Sequence, residues 1–251
     1  MAGRTFAIGD IHGELDQLFL LLAKLPTLNV KDTLVFLGDY VDRGPKSAQV
    51  VEYLRNTIHS QTRAKIVALK GNHEAAWLRI VDIGWPEFVM PVGNGCLPTL
   101  RSYTGGPVPA EDEFAADPQE GALLLSGKFL PKEVVEWFDS LAYWYEDEHA
   151  IYVHAGLVQV DGAWAHPSEL TNMDPLLWSR KQEFFKDYRG KRVVFGHTGP
   201  DYLPQEFSKY TPEDPTDLFA GENCIGIDTG CGNGGFLTAI ELPSLRVYES
   251  R

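Results

Sequence analysis

The stretch VFLGDYVDRGP, residues 35–45, decides how this chain folds. Three apolar residues run into Gly38, as a buried strand does at its end. Asp39, Asp42 and Arg43 then crowd onto one tight turn. Surface charge alone needs neither that order nor those glycines. Similar strand ends flank it. RTFAIGD (4–10) is a short apolar run ending in Gly9-Asp10, and AKIVALKGN (64–72) ends in Gly71-Asn72. Between them, ELDQLFLLLAKLP (14–26) carries Leu15, Leu18, Phe19, Leu22 and Leu25 at helical spacing, with Pro26 closing it. PKSAQVVEYLRNTI (45–58) reads as a helix opened by Pro45, and HEAAWLRIVDI (73–83) as a third helix. Strands alternating with helices predict a parallel sheet with helical crossovers.

The second half reads differently. YWYEDEHAIYVHAG (143–156) predicts a hairpin turning near Glu148-His149, and KRVVFGHTG (191–199) a further strand. NCIGIDTG (223–230), GFLTAIEL (235–242) and SLRVYES (244–250) are three more, separated by short turns and so expected to be antiparallel neighbours. The fold class expected is α/β, with two mixed sheets packed face to face and helices outside, in one domain spanning 1–251. The segment 84–127 holds seven glycines, six prolines and the acidic run PAEDEFAADPQEG (109–121). It is expected to be an irregular surface insert with short helices such as LPTLRSY (97–103). PKEVVEWFDSL (131–141) reads as a helix after it.

Composition sets the limits. The chain has 251 residues, 44% hydrophobic and 23% charged, the profile of an ordinary globule. A formal charge of −13 repels phosphate backbones, so no nucleic-acid partner is expected. Three cysteines, Cys96, Cys224 and Cys231, match no zinc spacing and no disulfide framework. No signal peptide is visible, and the most apolar run, LFLLLAKL (18–25), is too short to span a bilayer. The expectation is a cytoplasmic monomer with no membrane partner.

Strand after strand ends in the same chemistry: Asp10 and His12, then Asp39, then Asn72 and His73, then His154, then His197. Any one of these residues is usually a turn, a cap or a packed side chain. Those readings do not explain five successive strand ends that carry hard or borderline ligands beside glycines. The crevice beyond such ends is where open α/β sheets bind ligands. A set of two Asp, three His and one Asn, with no Cys, suits Mn, Fe or Zn. Six ligands exceed what one catalytic ion with an open position needs, but suit a pair of ions about 3.5–4 Å apart.

The blocks GDIHG (9–13), GDYVDRG (38–44), GNHE (71–74), VHAG (153–156) and FGHTG (195–199), in that order, resemble the metal-dependent phosphoesterases, in particular their serine/threonine protein phosphatase branch. LLWSR (176–180) and IDTGCGNGGFLTAIEL (227–242) resemble its bacterial and bacteriophage members. The resemblance runs from Phe6 to about Leu242. It implies a four-layer sandwich and two divalent ions, with Mn²⁺ expected and Fe or Zn as alternatives. It implies that Asp10 and His12 hold one ion, Asp39 bridges, and Asn72, His154 and His197 hold the second. Arg43 and Arg180 would bind phosphate, joined by Asn72. His73, held by Asp42, would be the general acid. The implied reaction is hydrolysis of phosphate monoesters, foremost phosphoserine and phosphothreonine in proteins, by a hydroxide held between the ions.

Two rival readings have their own signatures. A dinucleoside polyphosphate hydrolase, or a broad-specificity phosphoesterase, shares the metal core. In that relative the Asp42 position is typically non-acidic and the Glu74 position is Asp, so VDRG and GNHE favour a phosphoprotein over a small phosphoester as substrate. A binding protein that had lost catalysis would lack a ligand or His73, and none is missing. Gly199 stands where the family usually has proline, which loosens the expected placing of His197. Asp228 has no assigned role, and Asn94, Arg101 and Tyr103 are candidates for a cleft wall formed by the insert.

Overall fold

The computed structural model describes residues 3–110, 113, 117–210, 214 and 216–251. The centre of the acidic run 109–121 therefore lies outside the described residues. In chain order the strands are β1 (Thr5–Ile8), β2 (Thr33–Phe36), β3 (Lys65–Ala68), β4 (Trp144–Glu146), β5 (Ile151–Val153), β6 (Gln159–Val160), β7 (Ala163–Trp164), β8 (Val193–Phe195), β9 (Phe219–Ala220), β10 (Cys224–Gly226), β11 (Thr238–Leu242) and β12 (Arg246–Glu249). The helices are α1 (Leu15–Lys24), α2 (Ser47–Glu52), α3 (Ile58–Gln61), α4 (Asn72–Ile83), α5 (Pro86–Val89), α6 (Cys96–Thr104), α7 (Pro118–Ser126), α8 (Lys132–Ser140), α9 (Asp174–Trp178) and α10 (Gln182–Asp187).

Two mixed five-stranded sheets form the centre, ordered β12-β11-β1-β2-β3 and β4-β5-β8-β10-β9. In the first, β1, β2 and β3 run parallel while β11 and β12 add antiparallel. In the second, β5, β8 and β10 run parallel, flanked by antiparallel β4 and β9. Side chains alternate across each strand, so the inner strands of both sheets feed two apolar layers. Ala7, Val35, Tyr152, Val194, Ile225 and Ile240 fill the space between the sheets. Phe6, Ile8, Leu34 and Phe36 face the helices over the first sheet, and Val153, Val193 and Phe195 face Leu176, Phe184 and Phe185 of α9 and α10 over the second. Three apolar layers between four structural layers are the expected sandwich. Among the described residues no helix is long and apolar enough to cross a membrane.

Three expectations are corrected. β10 is not an antiparallel neighbour of β11; it pairs with β8 in the other sheet, and only β11 and β12 form the expected hairpin. Residues 227–237 are the crossover, and no hydrophobic period signals a change of sheet. The helix after Pro45 starts at Ser47, because the Ser47 hydroxyl accepts the Asp42 N–H (3.1 Å) and ties the turn down. Segment 84–127 is not a surface appendage. Phe88, Val89, Cys96, Leu97, Leu100 and Leu124 are buried in the core under the first sheet. Arg101 is buried too, forked onto Glu120 (2.8 and 3.1 Å) and paired with Glu113.

Candidate active site

All the anticipated strand ends open on one edge of the paired sheets. Asp10, His12, Asp39, Asn72, His154 and His197 are each at most 6% exposed. The backbone is bent sharply to deliver them. His12, Asp39, Asp42, Arg43 and His197 all sit at positive φ, between 48° and 71°. Such strain in non-glycine residues collects at functional sites and persists only where surroundings enforce it. Gly38 shows how tight the packing is. A Cβ there would lie 2.5 Å from the Gly71 nitrogen and 3.0 Å from His154 Nδ1, at a φ of +106°.

Asp39 is the hub. Ligand atoms of His12, Asp39 and His73 lie within 4.8 Å of one another, and so do those of Asp39, His154 and His197. His12 Nε2 is 3.5 Å and His73 Nε2 3.8 Å from Asp39 Oδ2, while His154 Nε2 is 3.4 Å from Oδ1. Asn72 Oδ1 is 2.8 Å from both His154 Nε2 and His197 Nδ1. Asp10 joins neither group. Its carboxylate accepts the His197 backbone N–H (2.9 and 3.2 Å). His73, expected as an acid rather than a ligand, does enter the first group.

The donor set fits divalent cations. His12 Nδ1–H donates to the Val41 carbonyl (2.9 Å) and His154 Nδ1–H to the Leu37 carbonyl (2.9 Å). Each bond fixes the tautomer that turns a Nε2 lone pair inward, as in ligating histidines generally. Among the described residues, buried His12 Nε2 and His197 Nε2 have no hydrogen-bond partner, and His154 Nε2 faces the Asn72 carbonyl oxygen lone pair to lone pair. A cation satisfies all three. Titration agrees. Burial, then the charge of Arg43, hold His12 well below the usual imidazole value. Burial, then His154 and Arg180, do the same to His197. Burial alone would raise Asp39, but His154, His73, His12 and His197 pull it below the usual carboxylate range. Imidazoles that resist protonation beside a carboxylate that gives up its proton readily are what metal binding needs.

His73 differs from its neighbours. Burial would lower it, yet Asp39 and a hydrogen bond from its Nδ1–H to Asp42 Oδ2 (2.7 Å) raise it. Asp42 is fully buried and also accepts from Trp77 Nε1 (3.0 Å) and Thr99 Oγ1 (2.6 Å). Arg43 is half-buried beside them. Its Nη1 donates to Asn233 Oδ1 at 3.2 Å when that amide is turned to donate to the Gly232 carbonyl. Arg180 is exposed and donates from Nη2 to the His197 carbonyl (3.2 Å). Trp178 is 37% exposed and packs on Trp85 and His197.

Two cavities share Arg43, Asn233 and Gly234 in their walls. The larger, about 500 Å³, is walled by Val89, Gly95, Leu97 and Pro98. The smaller, about 320 Å³, is walled by Arg180, His197, Tyr202 and Asp228. Segment 84–127 thus does form a cleft wall, but not through the residues anticipated. Asn94 is tied to the Phe88 carbonyl, and Arg101 to its two glutamates.

Glu74 went unassigned in the sequence. It is fully buried and its carboxylate accepts the N–H groups of Asp39, Tyr40 and Gly71 (2.8–2.9 Å). Burial, then the charge of Asp39, push its pKa up to about 7. A glutamate three residues after the residue that precedes a helix was the available signal. Thr99 and Asn233 carry no such local signal.

The comparisons with known proteins agree with this geometry. The sequence profile of the calcineurin-like phosphoesterases matches residues 3–223. A symmetrical bis(5'-nucleosyl)-tetraphosphatase of Neisseria gonorrhoeae is 27% identical, over 97% of this chain and 94% of its own. Its counterpart in Vibrio vulnificus is 26% identical, over 98% of both chains. The solved structure of a protein provisionally assigned as a diadenosine tetraphosphatase superposes with a TM-score of 0.58 at 20% identity, over 99% of this chain and 93% of that one, a likeness of fold. The matched profile takes in every strand end that feeds the site, and the chain belongs to the calcineurin-like phosphoesterase family.

Proposed function

We propose that this chain hydrolyses dinucleoside polyphosphates of the symmetrical tetraphosphate kind, rather than phosphoproteins first. The observation that carries the reading is a pair of cavities that share Arg43, Asn233 and Gly234, the smaller of which also reaches Arg180 and His197. A substrate cut near its middle extends both ways from the reacting phosphorus, whereas a phosphate monoester extends only one way. The names of full-length relatives support the same choice. It reverses the order expected from VDRG and GNHE.

Asp10, His12, Asp39, Asn72, His154 and His197 are the residues that would hold two divalent ions. When bound, such ions supply Lewis acidity and an activated water. The remaining work falls to the chain's own side chains. Arg43 and Arg180 neutralise charge on the phosphoryl oxygens, Arg43 through a fork restrained by Asn233. Asn72 would bind the same oxygens. His73 delivers a proton from Nε2 to the leaving oxygen while Asp42 steadies its Nδ1 side.

One observation favours the second reading, a serine/threonine phosphoprotein substrate. The Asp42–His73 pair is intact and buried, and an alkoxide needs a proton far more than a departing nucleoside diphosphate does. Steady-state kinetics with Mn²⁺ on bis(5'-adenosyl) tetraphosphate and on a phosphoserine peptide decide between them. The expected result is a larger kcat/KM on the tetraphosphate, with two nucleoside diphosphates as product. A larger value on the peptide contradicts it.

A further inference from the structure

The turn carrying Asp42 and Arg43 places both at left-handed φ, 71° and 69°. Something outside the turn must hold that conformation. The N-terminal turn of α6 does so at two points. The Gly95 carbonyl accepts the Arg43 N–H (3.0 Å), and Gly95 packs so closely that a Cβ on it would lie 2.2 Å from that nitrogen. Four residues on, the Thr99 hydroxyl binds Asp42 twice. It accepts the Asp42 backbone N–H (2.8 Å) and donates to Asp42 Oδ1 (2.6 Å). Thr99, Asp42 and Ser47 are all fully buried, and Ser47 Oγ lies 3.0 Å from Thr99 Oγ1.

We infer that Thr99 is a positioning residue for the Asp42–His73 pair. One hydroxyl fixes both the backbone and the carboxylate of Asp42, so the other carboxylate oxygen is aimed at His73 Nδ1. Trp77 Nε1 reaches both carboxylate oxygens (3.0 and 3.1 Å) and stops rotation from the other side. The segment that reads from sequence as an irregular surface insert is therefore part of the apparatus that orients the proton donor. This rests on the reading of His73 as the acid.

Thr99→Val keeps the shape of the side chain and removes the hydroxyl, whereas Thr99→Ser keeps the hydroxyl. Two readouts separate positioning from general damage. The first is the Nδ1-bound proton of His73, observed by ¹H–¹⁵N NMR in metal-free protein. The expected result is a far-downfield signal in wild type and Thr99→Ser, moved upfield or broadened away in Thr99→Val. The second is turnover. Thr99→Val should lose about ten-fold on a phosphoserine peptide, as small misplacements of catalytic groups do, and little on 4-nitrophenyl phosphate, whose leaving group needs no proton. Thr99→Ser should recover most of the loss. An unmoved proton signal in Thr99→Val overturns the inference, as do equal losses on the two substrates. If Thr99→Val does not fold, Trp77→Phe removes a second donor from the same carboxylate and is read in the same way. A wild-type protein inactive on every phosphoester counts against the family activity, and the proton signal still decides the role of Thr99.

Discussion

His73 Nδ1 lies 2.7 Å from Asp42 Oδ2, with both side chains at most 4% exposed, while its Nε2 points at Asp39 from 3.8 Å. One imidazole thus spans from a structural carboxylate to the metal centre. That geometry makes it a proton donor whose importance scales with the leaving group's need. His73→Asn should lower kcat on a phosphoserine peptide by roughly 100-fold or more, the usual worth of a general acid. On 4-nitrophenyl phosphate the loss should be far smaller. Equal losses in the two assays count against the role.

Metal binding should show in stability as well as in rate. The ligand side chains converge with unpartnered ring nitrogens, so the folded state gains from a cation that the unfolded chain does not hold in place. At 100 times its dissociation constant, Mn²⁺ should add about 2.7 kcal/mol and raise the melting temperature. A chelator should reverse the gain and abolish activity. Asp39→Asn should remove most of both responses, and an unchanged Mn²⁺-dependent melting shift in that variant counts against Asp39 as the shared ligand.

Glu74 offers a test of the scaffold. Its carboxylate satisfies three buried backbone N–H groups at once. Glu74→Gln places an NH₂ where an acceptor is required, leaving a buried donor unmet. The expected cost is about 1–3 kcal/mol in urea denaturation. A variant as stable as wild type means the turn is held by other contacts.

A pH effect should appear away from the site. Asp32 is buried and accepts from Arg4 N, Nε and Nη2 and from Asn29 N and Nδ2. Burial alone would raise its pKa, but the hydrogen bonds from Arg4 and Asn29 bring it below the usual value. A lowered carboxylate stabilises the fold above its unfolded pKa of about 3.9, and loses that contribution as pH falls through the folded value. Arg4 is partly exposed, so the hydrogen-bonded pair is worth about 1–2 kcal/mol after screening. Asp32→Asn should therefore melt earlier than wild type at pH 7, and the gap should narrow below about pH 4. A gap independent of pH contradicts the assignment.

The site was legible in the sequence to the extent that strands end in it. Gly-Asp, Gly-Asn-His and Gly-His at the ends of apolar runs announce side chains delivered to one edge, and the structure brings His12, His154 and His197 within a few ångströms of Asp39, with Asn72 against the last two histidines. What was not legible comes from elements whose placement no local pattern encodes. Thr99 reaches Asp42 across 57 residues, from a glycine- and proline-rich stretch that reads as surface. Asn233 meets Arg43 only because the glycine loop after β10 folds over His12, where a Cβ on Gly232 would lie 2.6 Å from His12 Cβ. β10 was assigned to the wrong neighbours because short turns predict hairpins, and a chain that leaves one sheet for the other breaks that rule without a hydrophobic signature.

Anomalous diffraction from crystals grown with Mn²⁺ tests the central claim most directly. The account predicts two peaks about 3.5–4 Å apart, the usual spacing of catalytic pairs, with the Asp39 carboxylate between them and His12 and His154 on opposite sides. A single peak, or peaks that do not touch Asp39, would contradict it.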